Sequence, residues 1–347
     1  MAEIRQNTLY ITTDGLYLHH ELEVLKVEKG SETILKIPIH HVGAIAILAH
    51  SNVSPLLMQK CLLRGIAVSW LTANGRFLGR VEGRTAGNVL LRKEQILKSE
   101  DKVFSLSMAR AVIAGKIQNS RLNLLRSARE LTTDEGQSRE EIILRDVGEY
   151  LAGRLNKLAE AENYESVMGI EGDAAKKYFS VFDHCLKQQK ENFTFTKRTR
   201  RPPRSRTNCL LSFLYAIWTN DCVSACQSAG LDPYVGFLHR DRPGRPSLAL
   251  DLVEEFRAMA DRLALTLINR RQINEDDFIE RPGFVFMFTE KGKKSVLQAV
   301  QERKSEEITH PLLKQKMTVG QLPMTQAQLM ARTIRGDMDE YKPFIWK

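Results

Sequence analysis

YESVMGIEGDAAKKYFSVF, residues 164–182, predicts a helix that carries an acid on its apolar face. At 3.6 residues per turn, Glu171 lies in the middle of a face of apolar side chains. Those side chains belong to Val167, Met168, Ala174, Ala175, Tyr178 and Phe182. A carboxylate in such a stripe is costly unless it is paired, protonated or bound to a cation. The sequence therefore predicts a partner for Glu171 elsewhere in the chain.

The same helical periodicity dominates the chain after Gly87. Helices are predicted at residues 101–131, 138–160, 164–186, 207–229, 247–269, 291–306 and 324–335. Glycine, proline and aspartate indicate loops at 132–137 and 230–245.

Residues 1 to about 90 are strand-like instead. Strands are predicted at residues 9–12, 16–18, 22–29, 34–39, 42–48, 66–71 and 76–82, with one short helix at 54–63. Asp14-Gly15 and Asn74-Gly75 indicate tight hairpins. We therefore predict a two-domain α+β fold. A small N-terminal β-sheet domain, residues 1–90, is followed by a larger all-α domain, residues 91–347, with the boundary within 85–100.

The charge of the 347-residue chain favours a polyanionic partner. Its 51 Lys and Arg exceed its 42 Asp and Glu, which gives a net charge of +9. A basic excess of this size is typical of proteins that bind nucleic acid. A content of 43% hydrophobic and 27% charged residues is typical of a globular chain.

The cysteines and the lack of targeting signals favour a cytoplasmic protein. The cysteines are odd in number, and no CxxC pair occurs among Cys61, Cys185, Cys209, Cys222 and Cys226. Reduced thiols are therefore expected. Cys222 and Cys226 lie four apart on a predicted helix and either share a metal or are small buried hydrophobes. No signal pattern and no run of 18 apolar residues occurs, so we expect no membrane span.

A basic segment, KRTRRPPRSR at residues 197–206, contains no acidic residue. Its cations are Lys197, Arg198, Arg200, Arg201, Arg204 and Arg206. Because Pro202-Pro203 disfavour a helix, we expect an exposed, extended arm. Such a cluster is typical of contacts with a phosphate backbone. The alternative is a solvated linker, or a tract paired with acidic side chains elsewhere.

A second segment, GFLHRDRPGRPSLALDLVEEFR at residues 236–257, offers candidate partners for Glu171. His239 ends an apolar stretch and enters a basic loop that holds Arg240, Arg242 and Arg245. Ser247 is the predicted N-cap of the helix that follows.

The acids of that helix differ in their expected positions. Glu254 projects away from the core stripe, and Asp251 lies beside it at i−3. Glu255 lies near the core edge and is the weaker candidate for a site. His239 is about one helix turn away from the two outward carboxylates.

A glutamate, a histidine and a second carboxylate suit Mn²⁺ or Mg²⁺ better than structural zinc, which usually has cysteine ligands. Beside a basic segment, the natural chemistry is phosphodiester hydrolysis or transesterification, in which the metal stabilises charge on the phosphate. The residues alone predict a divalent-metal nuclease or strand transferase. The alternatives are a structural DNA-binding subunit, which needs only a basic surface, and a repair nuclease that cuts branched DNA.

Several motifs resemble one known family. LLSFLYAIW, MGIEG with AAKKYF, and VGFLHRDRPGRPSLALDLVEEFR are similar to the CRISPR-associated integrase, the endonuclease common to most CRISPR adaptation systems. The resemblance runs nearly end to end and includes NVLLRKEQ at the domain junction. LTLINRRQI and the C-terminal YKPFIWK look most like subtype C of the type I systems.

The resemblance implies a fold, a site and an activity. The family has an N-terminal β domain used in dimerisation and a helical catalytic domain that binds Mg²⁺ or Mn²⁺. By motif match the ligands are Glu171, His239 and Glu254, and Asp251 matches an acid that assists in some members. The implied activity is insertion of short foreign DNA into a CRISPR array. A 3′-hydroxyl of the incoming DNA attacks a phosphodiester at the edge of a repeat.

The resemblance also implies partners. They are double-stranded DNA, a second copy of the chain, and a small ferredoxin-like adaptation protein, with two integrase dimers bridged by one partner dimer in a 4:2 complex. An iron–sulfur nuclease joins them in this subtype. The chain departs from the family pattern at Ser205, usually Asp, at Cys209, usually Ala, and at Ala258, usually Pro. Ser205 affects a local turn or arm contact, and none of these changes removes a predicted metal ligand.

Overall fold

The computed structural model describes residues 8–72, 75, 77–81, 89–131 and 138–346. Its N-terminal part is a β structure that carries one helix. In chain order the elements are β1 (Thr8–Ile11), β2 (Leu16–Glu21), β3 (Val24–Lys29), β4 (Glu32–Pro38), β5 (Ala44–Ile47), β6 (Asn52–Val53), α1 (Pro55–Leu63), β7 (Ala67–Leu71) and β8 (Phe77–Val81). Ser54 caps α1, because its hydroxyl accepts the N–H of Leu57, and Pro55 takes the first helical position.

The strands form two sheets, with the orders β4-β3-β2-β6 and β1-β5-β7-β8. The hairpin predicted at Asp14-Gly15 is therefore wrong, since β1 and β2 belong to different sheets. Gly15 does turn, with φ +76°, but its N–H donates to the carbonyl of His50, and β1 pairs in parallel with β5. The hairpin predicted at Asn74-Gly75 is confirmed by the antiparallel pairing of β7 and β8. Asn74 itself lies outside the described residues.

Strand β5 explains why residues 42–48 are almost continuously apolar. Ile45 and Ile47 pack in the core of the β structure. Ala46 and Leu48 belong to the core that runs through the helical part. Because side chains alternate between the two faces of a strand, both faces of β5 are buried. The helices thus lie directly on the β1-β5-β7-β8 sheet.

The rest of the described chain is largely helical. Its helices are α2 (Val89–Glu100), α3 (Lys102–Arg129), α4 (Arg139–Ala159), α5 (Tyr164–Ser180), α6 (Lys190–Phe193), α7 (Arg206–Ser228), α8 (Ser247–Val253), α9 (Arg257–Asn269), α10 (Glu290–Ser305) and α11 (Leu322–Arg335). Two antiparallel hairpins accompany them, β9 (Phe278–Arg281) with β10 (Val285–Phe288), and β11 (Glu307–Thr309) with β12 (Lys316–Thr318).

The predicted fold class, a β-sheet part followed by a helical part, is confirmed. The prediction missed α2, α6 and the two hairpins. The predicted helix 164–186 ends at Ser180, and a 3₁₀ turn at Phe182–Cys185 follows it. The domain boundary stays a prediction, because residues 82–88 lie outside the described residues. The predicted loop at 132–137 also lies outside them.

Helix α7 is the central helix of this part and contacts α8, α9 and α11. Among the described residues it is the one helix whose length and composition would allow it to cross a membrane, yet 67% of its most apolar window is buried inside the protein. That burial is typical of a core helix. The five cysteines are all described, and each is free and buried, including Cys222 and Cys226 on α7.

Candidate active site

Glu171 lies on α5 at the border between the apolar face and solvent. On that face Val167 is 0% and Tyr178 is 3% exposed, whereas the Glu171 side chain keeps 19% of its exposure. The sequence predicts a partner for this acid, and in the structure a cation on the neighbouring helix α3 pairs with it. The Lys116 ammonium donates a hydrogen bond to Oε1 of Glu171.

Glu254 lies where the predicted helix 247–269 is interrupted. Helix α8 ends at Val253, a 3₁₀ turn covers Glu254–Phe256, and α9 begins at Arg257. The expectation of an outward carboxylate is wrong, because the Glu254 side chain is only 4% exposed. Lys116 Nζ lies 2.7 Å from Oε2, and a guanidinium nitrogen of Arg257 lies 2.8 Å from Oε1. Helix α3 therefore covers the face of the turn that the sequence assigns to solvent.

The environment of Glu254 keeps it ionised. Burial alone raises the pKa of this carboxyl group, but the charge of Arg257 and then that of Lys116 outweigh burial. They hold the pKa of Glu254 well below its ordinary value, and His239 acts in the same direction. Glu254 is thus a buried anion at neutral pH.

His239 and Asp251 form a fixed pair. Nδ1 of His239 lies 2.7 Å from Oδ1 of Asp251. The Asp251 carboxylate is 1% exposed and also accepts the backbone N–H groups of Phe237 at 2.7 Å, Leu238 at 3.0 Å and His239 at 2.9 Å. With this acceptor beside it, Nδ1 carries the ring proton, and Nε2 keeps the lone pair that a metal requires. The expectation that Asp251 projects outward is wrong as well.

The helix that supplies Asp251 begins differently from the prediction. Ser247 is the first residue of α8, and Pro246 is its N-cap, without a capping side chain. The carbonyl of Pro233 instead accepts the N–H groups of Leu248 at 3.0 Å and Ala249 at 3.3 Å. Because this carbonyl satisfies the exposed end of the helix, the serine hydroxyl is not needed as a cap.

The predicted ligands are brought together in part. Lys116 joins Glu171 to Glu254, and His239 lies near Glu254. Among the described residues, no three acidic, histidine or cysteine side chains lie close enough to hold a metal ion as they stand. The donor set itself fits Mn²⁺ or Mg²⁺. Two carboxylates already meet at one cation, Lys116. Oε2 of Glu254 is buried and lies 2.7 Å from Lys116 Nζ, but this ion pair does not have the geometry of a hydrogen bond.

Two arginines of the basic segment are structural. Arg198 donates to Oδ1 of Asn208 at 2.9 Å, and Arg206 donates to the carbonyl of Asn192 at 3.2 Å. Residues 197–205 are not helical, which confirms the prediction from the two prolines. The segment is nevertheless held against the body of the protein, because the carbonyl of Pro203 accepts the N–H of Phe286 on β10 at 3.1 Å. The expected exposure is confirmed for four of the six cations, whereas Arg198 and Arg206 are held against the body of the protein.

The other cations of this segment, Lys197, Arg200, Arg201 and Arg204, are exposed. Arg200 also lines a small cavity together with Glu171 and Lys116, so the basic segment reaches the candidate site. Ser205 caps α7, since its hydroxyl accepts the N–H of Asn208 at 3.1 Å. Serine and aspartate are both good N-caps, so Ser205 preserves the local turn.

The basic loop after His239 lies at the start of α5. The Arg240 side chain is 75% exposed, lies 3.4 Å from Glu165 and covers the ring of Tyr164. Arg242 is exposed, and Arg245 is partly exposed. These side chains are available to a ligand that approaches α5.

Sequence reasoning missed Lys116 and Arg257, the two cations that hold Glu254. Arg257 had a signal, because it lies three residues after Glu254 and can meet it on one helix face. Lys116 had a weaker signal, as the lone charge in AVIAGKIQ, residues 111–118. Its pairing with an acid on another helix depends on tertiary packing.

Comparisons with solved structures define the fold. A casposase bound to integration product superposes with a TM-score of 0.82 and 21% identity, covering 97% of this chain and 93% of that one. A chain of a Cas6-RT-Cas1–Cas2 complex gives 0.80 and 23%, covering all of this chain and 37% of that one. At these identities the likeness shows a shared fold, the fold of Cas1 and casposase chains.

The sequence identifies the family within that fold. The family model described as CRISPR associated protein Cas1 matches residues 9–302. The CRISPR-associated endonuclease Cas1 of Leptospira interrogans is 55% identical over 258 residues, which cover 74% of this chain and all of the relative. A second endonuclease of that name, from Chlorobaculum tepidum, is 45% identical over 98% of both chains. The chain belongs to the Cas1 family.

A further relative matches this chain over only part of its own length. The Cas4 exonuclease/Cas1 endonuclease fusion of Geobacter sulfurreducens is 32% identical over 99% of this chain and 61% of the fusion.

Proposed function

We propose that this chain is a metal-dependent DNA endonuclease and integrase that inserts foreign DNA into a CRISPR array. The observation that carries the proposal is the meeting of two carboxylates, Glu171 and Glu254, at one partly buried cation, near a histidine that Asp251 holds. A DNA-binding subunit without catalytic activity would not require such an arrangement.

Each residue has a definable part in the reaction. Glu171, Glu254 and Nε2 of His239 would hold Mg²⁺ or Mn²⁺, and Asp251 positions the imidazole through Nδ1. The bound ion would supply charge stabilisation at the phosphate and would activate the attacking hydroxyl. The 3′-oxygen of the incoming strand forms a bond to phosphorus while the repeat strand leaves as a new 3′-hydroxyl. One phosphodiester bond replaces another, so no external energy source is required.

DNA contacts would come from the exposed cations around the site. Arg200 lines the cavity beside Glu171, and Arg240 lies at the start of α5. The other cations of the same two segments are exposed or partly exposed, namely Lys197, Arg201, Arg204, Arg242 and Arg245. Neutralising phosphates releases counterions, so binding should weaken as salt rises.

We further propose that the chain acts as a homodimer with a small ferredoxin-like adaptation partner in a 4:2 complex, and that an iron–sulfur nuclease joins it. Support comes from the names of similar chains, one in a Cas1–Cas2 complex and one fused to a Cas4 exonuclease. Assignment to subtype C rests on LTLINRRQI and YKPFIWK. Light scattering of the mixed proteins should give two chains of this protein for each partner chain.

A strand-transfer assay tests the activity. Protein and partner are mixed with Mg²⁺ or Mn²⁺, a labelled duplex with free 3′-hydroxyls, and a supercoiled plasmid that carries a CRISPR repeat. Label should enter the plasmid only when a divalent ion is present. Label that never enters with either metal overturns the integrase proposal.

Site variants separate chemistry from DNA binding. Glu171→Ala and His239→Ala should bind duplex DNA as the parent does but lose strand transfer. Glu162→Ala removes an exposed acid just before α5 and should transfer label normally. Normal integration by both site variants would show that Glu171 and His239 do not hold a catalytic metal and would overturn the proposed site.

A further inference from the structure

Lys116 occupies the centre of the candidate site. It lies on α3, its side chain is 14% exposed, and its ammonium contacts Glu171 on one side and Glu254 on the other. Those two acids come from α5 and from the turn between α8 and α9. A single lysine thus connects three segments that are distant in the chain.

The two acids need a cation between them. Two carboxylates in a partly buried site repel each other strongly, because little water screens their charges. Arg257 lies 2.8 Å from Glu254, but its guanidinium also covers the ring of Tyr215, with 4.7 Å between the guanidinium carbon and the ring centroid. Lys116 is therefore the cation that Glu171 and Glu254 have in common.

We propose that Lys116 is an exchangeable counter-cation: it holds Glu171 and Glu254 together in the metal-free protein and yields its place when a divalent ion binds. This inference rests on the proposed metal site. Both cations need the same carboxylate oxygens, so each binds at the expense of the other.

A displaced Lys116 side chain can enter an adjacent cavity. A cavity of about 30 Å³, the size of one water molecule, adjoins Lys116. Its lining includes the polar groups of Ser120, Tyr215 and Asp261, which can accept hydrogen bonds from an ammonium group. Arg200 and Arg257 line it as well, so Asp261 is the acid that would offset the charge of the displaced ammonium group. The flexible four-carbon stem of lysine can make such a move, whereas a packed arginine fork cannot do so easily.

The exchange also adjusts the charge of the site to its substrate. The carboxylates are Glu171, Glu254 and Asp251, and the cations are Lys116 and Arg257. The net charge of these groups is −1, because three carboxylates face two cations. A divalent ion that displaces Lys116 without expelling it turns this into one positive charge, which a single phosphodiester balances. Metal loading would thus prepare the site for a phosphate of DNA.

Calorimetry of metal binding tests the exchange without relying on activity. Mn²⁺ is titrated at pH 8 into the full-length parent and into Lys116→Met, which keeps the stem but removes the charge. The variant should bind Mn²⁺ more tightly, by roughly 5- to 150-fold, the usual range for two coupled binding events. Without metal it should melt at a lower temperature than the parent, and Mn²⁺ should raise its melting temperature by more.

Two further variants make the result specific. Lys116→Arg retains a cation whose fork cannot move aside easily, and it should bind Mn²⁺ more weakly than the parent. Lys176→Met removes an exposed charge from α5 and should change nothing. Parent and Lys116→Met binding Mn²⁺ equally well overturns the exchange but leaves the metal site standing. Failure of both folded proteins to bind any Mn²⁺ overturns the metal site and the exchange with it.

Discussion

Glu254 and Glu255 are adjacent in the chain but bind different partners at the turn between α8 and α9. Glu254 pairs with the cations of the candidate site. Glu255 accepts the Tyr341 hydroxyl at 2.5 Å and the N–H of Phe344 at 2.7 Å. Burial raises the pKa of Glu255 to about 7, whereas nearby cations overcome burial and lower the pKa of Glu254. The turn thus separates a site group from an anchor for the C-terminal segment.

This difference predicts different results for two otherwise equivalent substitutions. Glu254→Gln should abolish measurable Mn²⁺ binding. It should also destabilise the protein by about 3–5 kcal/mol, because the largely buried Arg257 loses its anion and Lys116 keeps only Glu171. Glu255→Gln should retain Mn²⁺ binding, since its contacts are with the C-terminal segment. Calorimetry and thermal melts distinguish the two. Loss of Mn²⁺ binding in a folded Glu255→Gln protein would contradict the assignment.

The Asp251–His239 pair predicts a defect in positioning. In Asp251→Asn one acceptor becomes an NH₂ group that faces N–H donors, which should cost about 1–3 kcal/mol of stability. Loss of the orienting carboxylate should weaken Mn²⁺ binding or strand transfer by roughly 10- to 100-fold. Asp241→Asn, at an exposed position in the loop that follows His239, serves as the control and should match the parent. An Asp251→Asn protein with full stability and affinity would show that His239 needs no such support.

The basic segment predicts two classes of arginine variant. Arg200→Ala, Arg201→Ala and Arg204→Ala combined should reduce duplex affinity and flatten its salt dependence, by about one unit of slope for each lost phosphate contact. The melting temperature should stay near that of the parent, because these side chains are exposed. Arg198→Ala should instead lower the melting temperature, since its guanidinium binds Asn208 on α7. Binding titrations at several salt concentrations measure the first effect, and an unchanged slope would remove these arginines from the DNA interface.

Periodicity predicted what local sequence controls. The long helices α3, α4, α7, α10 and α11 begin and end within two residues of their predicted bounds, because apolar spacing and capping residues are local signals. The short hairpins β9–β10 and β11–β12 were missed. Strands of three or four residues carry little periodic signal, and pairing across a loop stabilises them.

The sequence named the candidate site as a set of residues, but the geometry of that set was not predictable. The acid in an apolar stripe pointed to Glu171, and helix spacing favoured Glu254 over Glu255. The burial of Glu254 was not predictable, because Lys116 reaches it from a helix that lies more than a hundred residues earlier in the chain. The function of Asp251 depends on a loop that folds its backbone N–H groups onto the carboxylate, and no spacing rule encodes that fold.

Another buried acid, Asp261 on α9, adjoins the site without contacting the proposed ligands. It is 2% exposed, and its carboxylate accepts the hydroxyl groups of Tyr215 and Tyr178, the latter at 3.0 Å. Burial raises the pKa of Asp261 to about 6, although the two hydrogen bonds oppose the shift. The folded protein therefore retains a proton there that the unfolded chain releases near pH 4.

The raised pKa of Asp261 predicts a loss of stability as pH increases. Its contribution is fully present below the unfolded pKa of about 3.9 and is lost as pH rises through about 6, with a total of about 3 kcal/mol. Asp261→Asn cannot titrate, and its amide can donate to Tyr178. If the Asn123 amide turns over, its Oδ1, which has no partner in the parent, can accept the Tyr178 hydroxyl in place of the present bond from Nδ2. Urea unfolding of metal-free protein at pH 5 and pH 8 should therefore show a larger drop in unfolding free energy for the parent than for Asp261→Asn. Equal drops in the two proteins would mean that Asp261 is ionised across this range and that its buried charge is compensated by Arg198 and Arg257.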